Sequence, residues 1–87
     1  MFLISTPQPA AEVDLFVIDI DGTVHNSPPQ VDGSLARLHF ELPSLSFGNH
    51  TATVRAVNEW GDGQWSDPFD FVVQLPSKVS GLGLSVD

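Results

Sequence analysis

The 87-residue chain has no cysteine, only three basic residues and no long apolar run. Without cysteine, neither a disulfide framework nor a thiolate zinc site is available, so stability has to come from packing alone. Arg37, Arg55 and Lys78 stand against eleven acids, for a formal net charge of −8. Phosphate backbones and anionic lipid surfaces repel such a chain, so neither nucleic acid nor a membrane is an expected partner. The acids are scattered rather than run together, as on a solvated surface. No apolar stretch reaches bilayer-spanning length. The opening residues, MFLISTPQPAAE, contain no basic residue and too short an apolar core for a secretory signal.

What is there suffices for one small core. The hydrophobic share of 41% against 16% charged is too apolar for a disordered segment. Apolar residues alternate with polar ones at period two, the spacing that puts one face of a strand inward. Phe2 to Thr6 reads as a terminal or edge strand stopped by Pro7 and Pro9, with Gln8 to Glu12 as a loop. Val13 to Ile20 is the strongest strand of the first half, with Phe16, Ile18 and Ile20 inward and Leu15, Val17 and Asp19 outward. Asp21-Gly22 is a two-residue hairpin signal, and Thr23 to Asn26 returns as a short strand. After a turn at Asp32-Gly33, Leu35 to Leu42 points Leu38, Phe40 and Leu42 inward and Arg37, His39 and Glu41 outward. Pro43 to Asn49 crosses over, with Leu45 and Phe47 expected to plug the core's end. His50 to Val57 and Asp67 to Val73 are the last strands, the latter with Phe69, Phe71 and Val73 inward. No segment carries a 3.6-residue apolar period, so no helix is expected.

The stretch LSFGNHTATVRAVNEWGDGQWSD, Leu45 to Asp67, resembles the F strand, FG loop and start of the G strand of a fibronectin type III domain. The residues that carry the likeness are Leu45, Gly48, His50, Ala56, Asn58, Gly61, Gly63 and Ser66. It implies an all-β antiparallel sandwich with strands B-C-C′-E-F-G, and a histidine at the place of the corner tyrosine whose hydroxyl bonds upstream backbone. The tryptophan usual in strand B is missing. Residues 1–76 would form the domain, and 77–87, SKVSGLGLSVD, a linker or A-strand-like tail in which Leu82, Leu84 and Val86 alternate. Within the family, the Asp-Gly hairpin, the GNHTATVRAVNEWGDG run and the ending PSKVSGLGLS look most like small type III-like proteins of phages and prophages. That likeness implies a non-catalytic structural or adhesive role on a virion or extracellular surface.

One motif points elsewhere. FVIDIDGTV, Phe16 to Val24, matches the first motif of the haloacid dehalogenase superfamily, with Asp19 as nucleophile and Asp21 as general acid. The likeness covers nine residues, and no parallel strands with crossover helices follow. An Asp-Gly hairpin after an alternating strand accounts for the same letters, and no enzyme activity is expected. A calcium site needs six to eight oxygens from a compact set, and Asp19, Asp21, Asp62 and Asp67 lack the EF-hand spacing. His25, His39 and His50 have no metal-ligand spacing. Neither a cofactor nor a metal is expected.

The candidate interaction residues fall into three groups. Trp60 and Trp65, in or beside a glycine loop, are suited to a protein interface or to a glycan on a host surface, with Trp60 the more exposed. Leu15, Val17, Val57 and Val72 form an outward apolar stripe suited to a twin subunit. Leu82 and Leu84 would serve if the tail pairs with the open edge beside the first strand, its own or a neighbour's. Outward Arg55 is expected between Asp19 and Asp70 as a cross-strand charge cluster.

Overall fold

The computed structural model describes residues 1–75 and 78–86. Its strands are β1 (Phe2–Ile4), β2 (Gln8–Pro9), β3 (Leu15–Ile20), β4 (Thr23–Ser27), β5 (Gln30–Asp32), β6 (Leu35–Arg37), β7 (His39–Glu41), β8 (Gly48–Asn58), β9 (Gly61–Asp62) and β10 (Phe69–Val73). The described residues contain no α-helix, only a 3₁₀ turn at Ala10–Glu12, and the expected Gln8–Glu12 loop opens instead with β2, because Gln8 and Pro9 pair with Ala36 and Leu35. Every ladder among the described residues is antiparallel.

One layer runs in the order β10-β8-β3-β4, with β9 folded back on the end of β8. Its centre is β3, whose alternation holds throughout: Phe16, Ile18 and Ile20 are buried and Leu15, Val17 and Asp19 are less so. The hairpin from β3 to β4 turns on Asp21 (φ 52°) and Gly22 (φ 90°), the left-handed pair that matches the twist of the flanking strands. Asp19 Oδ1 accepts a hydrogen bond from the Gly22 amide at 2.8 Å and closes the turn from one side.

The other layer is made of two separate sheets, β1-β7 and β2-β6-β5. The expected single strand Leu35–Leu42 is therefore two strands, broken at Leu38. Ile4 faces His39 while Gln8 faces Ala36, so Ser5, Thr6 and Pro7 oppose only Arg37 and Leu38. That extra residue is a bulge, and it accommodates Pro7, which has no amide to give. The Ser5 hydroxyl oxygen accepts from the Leu38 amide at 2.9 Å and replaces the missing ladder bond. Strand β5 was not expected, because Gln30-Val31-Asp32 is too short and too exposed to show alternation.

Leu3, Ala36 and Leu38 of this layer meet Phe16, Ile18, Ile20 and Ala52 of the other in a single buried cluster that Val13 joins. The described residues are thus all-β, in three antiparallel sheets that share one buried core, an arrangement compatible with a sandwich. Leu45 packs against that core as expected, but Phe47 does not plug it and is 67% exposed. The boundary expected between residues 76 and 77 lies outside the described residues. From Lys78 to Val86 no residue belongs to a strand, and Leu82, Leu84 and Val86 are exposed. The radius of gyration is 17.7 Å, against about 12 Å for a compact chain of this length. The excess fits a tail that extends away from the layers.

Candidate interaction site

Among the described residues, strand β1 is bonded on one side only, to β7. Its other edge looks across the core to β8 and β10 of the opposite layer, and the space between them is an apolar cleft of about 430 Å³. Leu3 and Leu38 form one wall, Ala52, Val54 and Phe69 the other, and Ser66 and Asp67 also line it. Phe69 shares the inward register of Phe71, yet it is 55% exposed, because this side of the double layer is uncovered. Phe2 and Ile4, on the outer face of β1, are also exposed. The sequence carried a signal for this edge that alternation alone does not use. In Phe2-Leu3-Ile4 both faces of a terminal strand are apolar.

The glycine loop is built by β8 and β9. Asn58 Oδ1 accepts from the Trp60 amide at 2.9 Å, and Asn58 Nδ2 donates to the Glu12 carbonyl at 3.1 Å. These bonds hold the turn while the Trp60 ring stays 88% exposed. Trp65 is less exposed, at 42%, and the Arg55 guanidinium lies 4.5 Å from its ring centroid, a cation–π contact. The two tryptophans therefore present unlike surfaces, one bare and one capped by a cation.

Arg55 does not sit between Asp19 and Asp70. It opposes Val17, and its Nη2 lies 3.3 Å from Asp62 Oδ2. Asp19 opposes Thr53 and Asp70 opposes Thr51, so Asp70 is about 13 Å along β8 from Arg55. The ladder with β10 starts only at Ala52, and β9 brings Asp62 across from Val57 instead. Register likewise divides the outer apolar stripe. Leu15 opposes Val57, with Val17 beside them, but Val72 opposes Asn49, about 27 Å away along β8. The structure brings Leu15, Val17 and Val57 together and leaves Val72 apart.

His50 is the one buried histidine among the described residues. Its Nδ1 is 2.5 Å from Asp21 Oδ2 and its Nε2 is 2.7 Å from the Ser46 carbonyl oxygen. Both partners accept, so only the doubly protonated imidazolium satisfies both contacts. The bond to the Asp21 carboxylate, then that to Ser46, raises the His50 pKa above its ordinary 6.5. The same His50 bond, then the Thr51 amide on Asp21 Oδ1 at 2.9 Å, lowers the Asp21 carboxyl below its ordinary 3.8. The two aspartates of the Asp-x-Asp-Gly-Thr run are thus tied, one to its own turn and one to β8. Among the described residues no group of three or more histidine or acidic side chains is placed to hold a metal ion. No helix among them is long and apolar enough to cross a membrane.

Compared with known proteins, the chain matches no family model, no curated protein and no solved structure.

Proposed function

We propose that this chain is a non-catalytic interaction module, built as a fibronectin type III-like sandwich, that serves assembly or surface adhesion through a protein partner or its own copies. The observation that carries the reading is the uncovered cleft beside β1, an apolar opening onto the core with unpaired backbone along one rim. Such an edge is suited to strand addition rather than to chemistry. The order β10-β8-β3-β4 supports the type III likeness, since it is the order G-F-C-C′. The His50 bond to Ser46, four residues upstream, supports it too, as the bond a corner tyrosine would make. Strand β5, beside β6, is a departure from the strand set that the likeness implies. A phage or prophage virion, or another extracellular surface, is the setting this reading favours. Sedimentation velocity from micromolar to submillimolar concentration is expected to show reversible association. A chain monomeric over that whole range would overturn the self-assembly reading.

The bare Trp60 ring favours a second reading, as an accessory module that stacks on a glycan. On that reading, titrating polysaccharides shifts the tryptophan emission, and Trp60→Ala removes most of the shift while Trp65, capped by Arg55, contributes little. No spectral change across a polysaccharide panel would set the glycan aside.

A further inference from the structure

We infer that the cleft beside β1 takes the 79–86 segment of a second copy of this chain as an added antiparallel strand, joining copies head to tail. The inference rests on the assembly reading above and names its partner. Three observations select this occupant. The first is pattern: Leu82, Leu84 and Val86 alternate with small residues and lie exposed outside the layers. As a strand, the segment turns all three to one face. Their eleven side-chain carbons need about 330 Å³ at roughly 30 Å³ per heavy atom, the share of a water molecule in the liquid. The cleft offers about 430 Å³.

The second is direction. Strand β1 starts opposite Glu41, at the end of β7, and the Leu42 amide donates to the Met1 carbonyl there. Strand β10 finishes opposite Gly48, just across the 42–47 crossing. The start of β1 and the end of β10 therefore share one end of the molecule. A tail that folded back onto its own β1 would run parallel to it, against the sense of every ladder in this fold. A tail from another copy can arrive at the far end and run antiparallel. The contact is heterologous, so it links copies into an open chain, or into a ring where the rotation between copies closes.

The third is charge. Lys78 leads the tail and is its only cation, and Asp67 lines the cleft toward that far end. An arriving tail sets Lys78 near Asp67 as its leucines enter. Met1 to Ser5 would then have strands on both sides, and the uncovered faces of Leu3 and Phe69 would leave water.

The full chain is the sample, studied by sedimentation velocity and by amide exchange at the β1 amides that point away from β7. Wild type is expected to form a concentration-dependent ladder of species, with those amides protected only where species larger than the monomer are populated. Leu82→Asp with Leu84→Asp should weaken association about 100-fold or more, since losing one buried anchor costs about tenfold or more. The tail lies outside the core, so the doubly substituted chain should keep the wild-type melting temperature. Association that survives L82D/L84D but is lost in Val57→Asp would overturn the inference and move the interface to the Leu15–Val17–Val57 patch, leaving the assembly reading standing. Protection of β1 in dilute monomer would overturn it in favour of the chain's own tail. A monomer at every concentration would overturn both.

Discussion

Ile18→Ala is expected to lower the unfolding free energy by about 2–5 kcal/mol. Ile18 is fully buried in the central strand of its layer, between Val54 on β8 and His25 on β4, and belongs to the cluster that both layers share. No disulfide is available to restrain the chain. At typical values a domain of this length holds about 4–13 kcal/mol in total, so this single truncation removes a large part of it. The melting temperature should fall by roughly 8–40 °C, at about 4–8 °C per kcal/mol for a domain of this size. Phe47 is the contrasting position. A third of its surface is buried, on a side chain of about 150–250 Å², so Phe47→Ala should cost no more than about 1–2 kcal/mol. Urea unfolding of the two variants measures the difference directly. Equal losses would mean that the 42–47 crossing contributes as much to the core as β3 does.

That contrast marks what a one-dimensional pattern can and cannot show. Ile18 is legible because period-two alternation over Leu15–Ile20 and an Asp-Gly turn at its end are both local signals. The same logic found β4, the long β8 and the inward row of β10, and with them the all-β class. It failed where pairing decides. Nothing near Leu38 announces that its strand breaks there; the cause is the bulge at Ser5–Pro7 in the partner. Nothing near Arg55 announces Asp62; the cause is where β10 begins its ladder. Val72 joins the outer stripe by parity, yet parity says nothing of distance along β8. The exposure of Trp60 could be read from its glycine loop. The open edge beside the first strand could be read as well, but not the cleft it borders, whose far wall comes from Ala52, Val54 and Phe69. His50 was legible as a donor to upstream backbone, and Asp21 as a turn residue. Their meeting was not, since the two lie 29 residues apart and are joined only by the ladder of β3 with β8.

That meeting sets the pH range in which the fold is strongest. A histidine whose folded pKa is raised contributes fully below its unfolded value of 6.5, and the contribution is lost as pH rises through the folded value. An aspartate whose folded pKa is lowered contributes fully above 3.8, and the contribution is lost as pH falls through the folded value. The Asp21–His50 pair is therefore at full strength between about pH 3.8 and 6.5 and weakens on either side. On the alkaline side the neutral ring leaves either Asp21 or the Ser46 carbonyl without a donor, beside the stacked Phe71 ring and a β8–β10 ladder that also carries Asp70. Melting temperature is expected to be highest in that window and to decline as pH rises above it through the raised His50 value. His50→Phe should flatten the alkaline decline while keeping the ring-on-ring contact. Asp21→Asn should move the decline to lower pH, because it removes the larger of the two causes that hold the proton. The His50 ring resonances, followed by NMR, should titrate above 6.5. A titration at or below 6.5, or an alkaline decline unchanged in His50→Phe, would show that the two acceptors do not hold the ring charged. If the decline follows His50, the proton on one buried ring fastens the β3–β4 turn to β8 and to the crossing before it, beside the end of the molecule where β1 starts and β10 finishes.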